Sequence, residues 1–353
     1  MRRESERLRG VNLLSKLGRI TMSKIFSSEI DAILEGTSRS FYLSLKELPR
    51  PIRKQVSLLY LLARTSDTIA DSERGDISRR LDALVSFNDF CKSNFANPPD
   101  LKDISILQRN ESERLLLEKV ERVVSILGEF SESDVEKIRK CLDVIISGQI
   151  LDLERFSSKS GKIIAIDTEG ELDDYAYRVA GSVGEFWTRM ALQHLFEVDG
   201  KSEQMLFDSG IKFGKALQMI NILRDIPADL SLGRCYIPSS SLADLGLKPR
   251  DLLDKSNMDI FRPLYNKYLD LTDLYFESAV DYIEKIPHRQ FRFRGACMLP
   301  VIIGKRTSSL LREGNVLDSE NRIKIDRSEI NKTVKNVVMA VPFRNSSQKL
   351  LRD

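Results

Sequence analysis

Apolar residues recur three and four positions apart along most of this chain, the spacing that gives a helix one buried stripe. From Ser27 onward the pattern predicts helices over about 52–71, 76–92, 112–130 and 132–156, then a polar break at about 157–170. A further helical run covers about 175–187, and another begins near Glu203 and carries Asp225 and Asp229. Two long helices over about 260–286 and 291–312 follow, and a last one spans about 328–339. Pro49 and Pro51 punctuate the start of the first long helix, Pro98 and Pro99 mark a loop, and Gly233 and Pro238 close the helix that begins near Glu203. No stretch alternates with strand period over a useful length, and there is no internal repeat. Several helices are apolar on more than one side, as central helices are. The expectation is one all-α domain of ten or more helices over 26–343, between a basic N-terminal tail (1–25) and a C-terminal tail (344–353).

Composition narrows the function classes. The 353 residues are 42% hydrophobic, enough for a sizeable core. The net charge of +3 comes from 55 basic and 52 acidic residues mixed throughout, which is not the footprint of a nucleic-acid binder. Cys91, Cys141, Cys235 and Cys297 lie far apart without metal or redox spacing, so we expect reduced thiols and a cytoplasmic location. His194 and His288 are the only histidines; both read as structural or surface residues, which argues against a His-ligated zinc site or a Ser-His-Asp triad. No apolar window is long enough to span a membrane. The first 25 residues are basic and lack the apolar core of a secretory signal. They read as a disordered tail, with weak anchoring at the inner face of the membrane as the alternative.

The chemistry concentrates in two stretches. Gln218 to Pro238 leads an apolar helix into Arg224-Asp225 and Asp229, with Arg234 just beyond. Residues four apart on a helix share a face, so the two carboxylates can converge on one hard cation. Mg²⁺ takes few protein carboxylates, keeps its waters and completes its shell from substrate phosphates. Neighbouring guanidinium forks match the oxygens of a diphosphate. With 52 acidic residues in the chain, one such pair carries little weight, since it can equally be a solvated helix face. Tyr60 to Asp71 repeats the grammar: apolar helix, Arg64, then Asp67 and Asp71. Two such pairs make a metal-diphosphate clamp the better reading.

Further motifs, taken in order, carry a family resemblance: Ser38-Arg39-Ser40-Phe41, Arg64-x-x-Asp67-x-x-x-Asp71, and Tyr175-x-x-x-Val179-Ala180-Gly181-x-Val183-Gly184. Asn221-Ile-Leu-Arg224-Asp225-x-x-x-Asp229 and Gly233-Arg234-x-Tyr236-Ile-Pro238 complete the set. From about Ile30 to Val338 the chain resembles the trans head-to-head prenyl synthases, the squalene and phytoene synthases, most of all bacterial squalene-type sequences. The resemblance implies a single-domain isoprenoid synthase-type helical bundle around a deep central cavity. It implies a Mg²⁺-dependent prenyltransferase that joins two prenyl diphosphates through a cyclopropylcarbinyl diphosphate. Asp67, Asp71, Asp225 and Asp229 would then hold Mg²⁺. Arg39, Arg64, Arg224 and Arg234 would neutralise the leaving group, with Ser40, Phe41, Tyr60, Asn221 and Tyr236 binding substrate. Tyr175 matches the tyrosine associated with proton removal and cation steering.

The sequence departs from the family pattern where an extra acid often precedes the last aspartate of each pair, here Ala70 and Ala228, and it places Pro227 inside the second pair. That proline is expected to remove one helical hydrogen bond and kink the helix. Gly181 and Gly184 leave a packing role and a substrate-passage role open. The leading expectation is squalene synthase: two farnesyl diphosphates give presqualene diphosphate, which NADPH reduces. No Gly-rich dinucleotide turn is present, so a nicotinamide would sit at the cavity mouth, by Lys324 and Arg327. The alternatives are a phytoene or dehydrosqualene synthase without the reduction, using geranylgeranyl or farnesyl diphosphate, and a non-catalytic assembly protein. Peripheral membrane contact for product release and the oligomeric state stay open.

Overall fold

Pro49 and Pro51 bracket Arg50 at the first turn of the longest early helix, where a missing N–H breaks no helical bond. The computed structural model describes residues 24–38, 41–72, 76–93, 96–157 and 162–352, without the side chains of Phe41 and Leu43. The basic N-terminal stretch therefore lies outside the described residues, as do Arg39 and Ser40. Helices α1 (Ser28–Ser38) and α2 (Phe41–Glu47) lead into α3 (Arg50–Ala70), which carries the first aspartate pair at its end. Leu58, Leu61, Leu62 and Ile69 of α3 are fully buried, each contributing about 1.5–3 kcal/mol of transfer free energy. Helix α4 (Ile77–Lys92) returns along α3.

The helix expected over 112–130 is shorter. It runs as α5 (Glu111–Glu118), breaks at Lys119, resumes as α6 (Val120–Ser125) and tightens into a 3₁₀ turn at Ile126–Glu129. The β-branched Val120, Val123 and Val124 are poor helix formers, and Gly128 follows them. Helix α7 (Glu132–Arg155) packs along α3 and α4. Its start is capped by the Ser131 side chain, which accepts the Asp134 N–H.

Helix α8 (Glu169–Ala176), opened by a Thr168–Glu171 capping box, passes through one π-helical turn (Tyr177–Gly181) into α9 (Ser182–His194). The glycines here serve packing. A Cβ at Gly184 would lie 1.9 Å from the Gly210 carbonyl oxygen, and one at Gly214 would lie 2.1 Å from that of Ala180. Helix α10 (Gly200–Arg224) thus crosses this segment backbone to backbone; the short α11 (Ile226–Ser231) follows it, and α10 packs along α12 (Met258–Lys285) as the central pair of the bundle. Tyr265, Tyr268, Phe276 and Tyr282 of α12 are all but fully buried. After α12 come α13 (Phe291–Glu313), α14 (Arg327–Ala340) and α15 (Arg344–Arg352). The stretch read as a C-terminal tail is therefore helical through Arg352, and Leu351 and Ser347 are buried.

One feature was not legible from periodicity. Ile164–Ala165 and Arg234–Cys235 pair as two short parallel strands, β1 and β2, in register Ile164↔Arg234 and Ala165↔Cys235. Gly233 enters β2 with φ +78°, a conformation that favours glycine. The bundle is otherwise helical, as expected, and no helix among the described residues is long and apolar enough to cross a membrane. All four cysteines are buried and free. His194 is bonded to Asp134 at 2.8 Å and His288 to the Pro342 carbonyl at 3.0 Å, both structural arrangements.

Candidate active site

The first pair sits on unbroken backbone. Asp67 lies in the last turn of α3 and Asp71 caps it, its N–H donating to the Asp67 carbonyl at 2.8 Å. The second pair sits at a joint. Helix α10 ends at Arg224, Asp225 bridges, and a short helix, Ile226–Ser231, begins. Pro227 stands in the first turn of that short helix, where it forfeits no bond, and the Asp229 N–H still reaches the Asp225 carbonyl at 3.0 Å. The expected kink is thus a break at Asp225, and the four-residue spacing keeps helical geometry across it.

The two pairs face each other. Burial raises the Asp229 carboxyl to about 7, and the charges of Asp225, Asp152 and Asp71 add to the shift while Arg234 opposes it. Asp67 is raised to about 6, first by burial and then by Asp71. Asp71 opens to the cleft yet is raised too, by the protein packed around it, against the pull of Arg234 and Arg64. Asp225 is the exception. Burial works against its charge, but Arg224 grips it through Nε at 3.0 Å and Nη2 at 2.6 Å, and Arg322 adds a bond at 2.6 Å. Together they hold it below the usual carboxylate range.

A cleft of about 410 Å³ opens beside the first pair, within the roughly 300–1,000 Å³ usual for small-molecule sites. Its walls are mostly polar, with Arg64, Asp67, Asp71, Arg109 and Glu113 among them, and with Ile106 and Leu107 as apolar members. Arg64 pairs with Glu113 at 2.7 Å. Beside Arg234, Tyr175 donates to the Tyr236 hydroxyl at 3.3 Å and Tyr236 donates to Asp152 at 2.6 Å. The two rings stack with centroids 4.8 Å apart, and Phe156 meets Tyr236 edge-on. Burial pushes both phenols well above their ordinary range, so they stay protonated. Asp152, raised by burial to about 6, lies 3.6 Å from Arg234.

Of the residues singled out from sequence, the fold brings together Arg64, Asp67, Asp71, Asp225, Asp229, Arg224, Arg234, Tyr175 and Tyr236. Tyr60 lies two turns before Asp67 and donates to the Thr37 carbonyl at 3.1 Å. Asn221 is exposed on the last turn of α10. Arg39 and Ser40 fall outside the described residues, as does the side chain of Phe41. Ala70 is buried, so an acid there would enter the wall of α3 rather than the cleft.

Sequence reasoning passed over Gln149, which donates to Asp67 at 2.5 Å, and also Asp152, Glu113 and Arg322. Gln149 and Asp152 lie three apart on α7 at the end of an apolar helix, a weaker form of the signal that marked the aspartate pairs.

The donor set fits Mg²⁺ held between protein and phosphate. Among the described residues no three acidic, histidine or cysteine side chains gather closely enough to chelate an ion alone, so an ion held here would need further oxygens of the kind magnesium takes from substrate phosphates. Ten buried side-chain polar atoms lack a partner among the described residues, and five belong here: Arg64 Nε, Arg80 Nε, Gln149 Oε1, Asp152 Oδ1 and Arg155 Nη1. Such atoms call for an explanation, and a bound polar ligand or ion is one.

The comparisons bear on the family and the fold. The family model for squalene/phytoene synthase matches residues 34–329. The chain is 29% identical over 265 residues to a bifunctional lycopene cyclase/phytoene synthase of Gibberella fujikuroi, covering 72% of this chain and 43% of that protein. It thus spans less than half the length of that relative. Presqualene diphosphate synthase of Rhodopseudomonas palustris is 30% identical over 279 residues, covering 77% of this chain and 82% of its own. The solved complex of TcSQS with the ligand E5700 shares the fold with a TM-score of 0.73 at 19% identity, over 91% of this chain and 87% of that one. The chain belongs to the squalene/phytoene synthase family.

Proposed function

We propose that this protein is a Mg²⁺-dependent prenyltransferase that condenses two farnesyl diphosphates head to head to presqualene diphosphate, which NADPH then reduces to squalene. The observation that carries the reading is that helix α7 ties together two acidic segments some 160 residues apart in sequence: Gln149 donates to Asp67 at 2.5 Å, and Asp152, three residues on, accepts from Tyr236 at 2.6 Å and lies 3.6 Å from Arg234. Carboxylates on two segments with Arg64 and Arg234 beside them suit a diphosphate bridged by divalent cations.

Asp67, Asp71, Asp225 and Asp229 would hold Mg²⁺, which as a Lewis acid would neutralise the departing diphosphate. The chain's own residues do the rest. Arg234 lies close to Asp152 and acts on Asp71, so its fixed charge faces the position where anion develops. Glu113 orients Arg64 at the wall of the cleft. Tyr175 and Tyr236, held neutral, present hydroxyl dipoles and stacked ring faces, and ring faces favour a neighbouring cation. Their hydrogen bonds end at Asp152, which can receive a proton passed along the chain of hydroxyls. Exposed Lys324 and Arg327 follow Arg322, which bonds Asp225 at 2.6 Å, and would supply positive charge for the phosphates of NADPH.

The second reading, phytoene or dehydrosqualene synthesis without reduction, is favoured by the likeness to bifunctional phytoene synthases. One assay separates them: purified protein with Mg²⁺ and either farnesyl or geranylgeranyl diphosphate, with and without NADPH. Squalene formed only with NADPH supports the lead. Dehydrosqualene, or turnover only of the longer donor, supports the second reading, and no diphosphate release from either donor defeats both.

A further inference from the structure

Far from the aspartates in sequence, two corners of the chain meet and leave their largest apolar side chains in solvent. The corner between α14 and α15 carries Val338 (66% exposed), Met339 (54%) and Phe343 (65%). The corner between α12 and α13 carries Phe291 (48%). His288 bonds the Pro342 carbonyl at 3.0 Å, and Val341 lies 3.4 Å from where a Cβ on Gly295 would stand, one helical turn beyond Phe291. The two corners therefore lie side by side. Exposed aromatic and aliphatic side chains clustered in this way are uncommon on a surface that meets only water.

The α14–α15 side of this face is basic. From Ile330 to Arg352 the chain carries Lys332, Lys335, Arg344, Lys349 and Arg352 and no acidic residue. Arg352 is paired with Glu284, whereas Lys332, Lys335, Arg344 and Lys349 are exposed. Lys335 lies three and four residues before Val338 and Met339, on the same helical face, and Arg344 follows Phe343 directly. Exposed Arg289 sits beside Phe291 on the other corner, and Arg292 there pairs with Glu47 at 3.1 Å.

We propose that this face docks on an anionic lipid surface, with Phe343, Met339, Val338 and Phe291 entering the headgroup boundary and Lys335 and Arg344 meeting lipid phosphates. An apolar tip with a basic rim is the composition that binds anionic interfaces. A second copy of the chain fits poorly, because a two-fold contact would bring the same basic rim against itself. The chain's own first 25 residues fit no better, since they too are predominantly basic. The inference does not rest on the enzymatic reading, although an enzyme releasing an apolar product would gain a direct route into the bilayer.

The test is flotation of the full chain with vesicles of phosphatidylcholine alone and of phosphatidylcholine with about one-third phosphatidylglycerol, at two salt concentrations. We expect binding to the anionic vesicles only, weakened by salt. Met339→Ser with Phe343→Ser should weaken partitioning at least tenfold, and Lys335→Glu with Arg344→Glu should do the same. These side chains are exposed, so circular dichroism and thermal midpoint should stay at wild type, and diphosphate release from soluble substrate should be unaffected. Three results would overturn the proposal. They are no binding to anionic vesicles, binding that survives both double variants but is lost on neutralising Arg2, Arg3, Arg7 and Arg9, and a dimer in solution that Phe343→Ser dissociates.

Discussion

The two aspartate pairs are written alike in sequence, yet the fold gives them different electrostatics. Asp67 and Asp71 close an unbroken helix and both are raised, with one neutral amide, from Gln149, bonded to Asp67. Asp225 sits at a break between two helices, clamped by Arg224 and Arg322, while Asp229 four residues on is the most strongly raised of the four. The first pair is thus a crowded acidic surface that a cation relieves directly. The second is split into an anchored, ionised member and one that burial makes a weak acid. The spacing of carboxylates sets which face they share, and the residues reaching in from other elements set which of them is available.

The largest test of this contrast is removal of the carboxylates. Asp67→Ala, Asp71→Ala or Asp229→Ala should each cut turnover roughly 100-fold or more while circular dichroism stays at wild type. If the first pair alone bound the metal, Asp229→Ala would keep near-normal activity, and the facing-pair account would fail.

Next comes pH. Asp67, Asp152 and Asp229 are raised by burial to about 6, about 6 and about 7, so the native state holds protons that the unfolded chain has released above about pH 4. Stability of the metal-free protein should therefore fall as pH rises from 5 to 8, by on the order of a few kcal/mol. Asp225, held low by its arginines, contributes in the opposite sense, and only as pH drops below the usual carboxylate range. Mg²⁺ should restore more stability at pH 8 than at pH 5. Thermal unfolding across this range, with and without Mg²⁺, measures both, and a metal-free curve that rises toward pH 8 would contradict the burial of these groups.

Smaller effects sharpen the picture. Tyr236→Phe leaves Asp152 without its 2.6 Å donor and should lower stability by about 1–3 kcal/mol, read as a lower thermal midpoint. Arg322→Gln should free Asp225 from one cation and tighten Mg²⁺ binding about two- to fivefold by calorimetry, in line with an exposed ion pair. A weaker affinity in that variant would mean that Arg322 supports metal binding instead of competing with it.

Much of this was legible in the sequence because helix periodicity and the D-x-x-x-D spacing are local. The helices from Ile52 to Asp71 and Glu132 to Phe156 fall within a residue or two of their expected limits. What could not be read depends on contacts across the chain. Gln149 reaches Asp67 from a helix 82 residues away, and Arg322 reaches Asp225 across 97; neither leaves a local pattern. The strand pair at Ile164 and Arg234 is two residues long, too short for alternation to register, and it exists because Gly233 can take a positive φ. Pro227 was misjudged because its cost depends on whether the helix is already interrupted, and Asp225 interrupts it.

The central claim is that both acidic segments grip one magnesium-bridged diphosphate. It is tested most directly by calorimetric binding of a non-reactive farnesyl thiodiphosphate to wild type, Asp67→Asn and Asp229→Asn, each with and without Mg²⁺. We predict binding that requires Mg²⁺ and is lost when either segment is altered; equal binding without Mg²⁺, or full affinity in either variant, would contradict it.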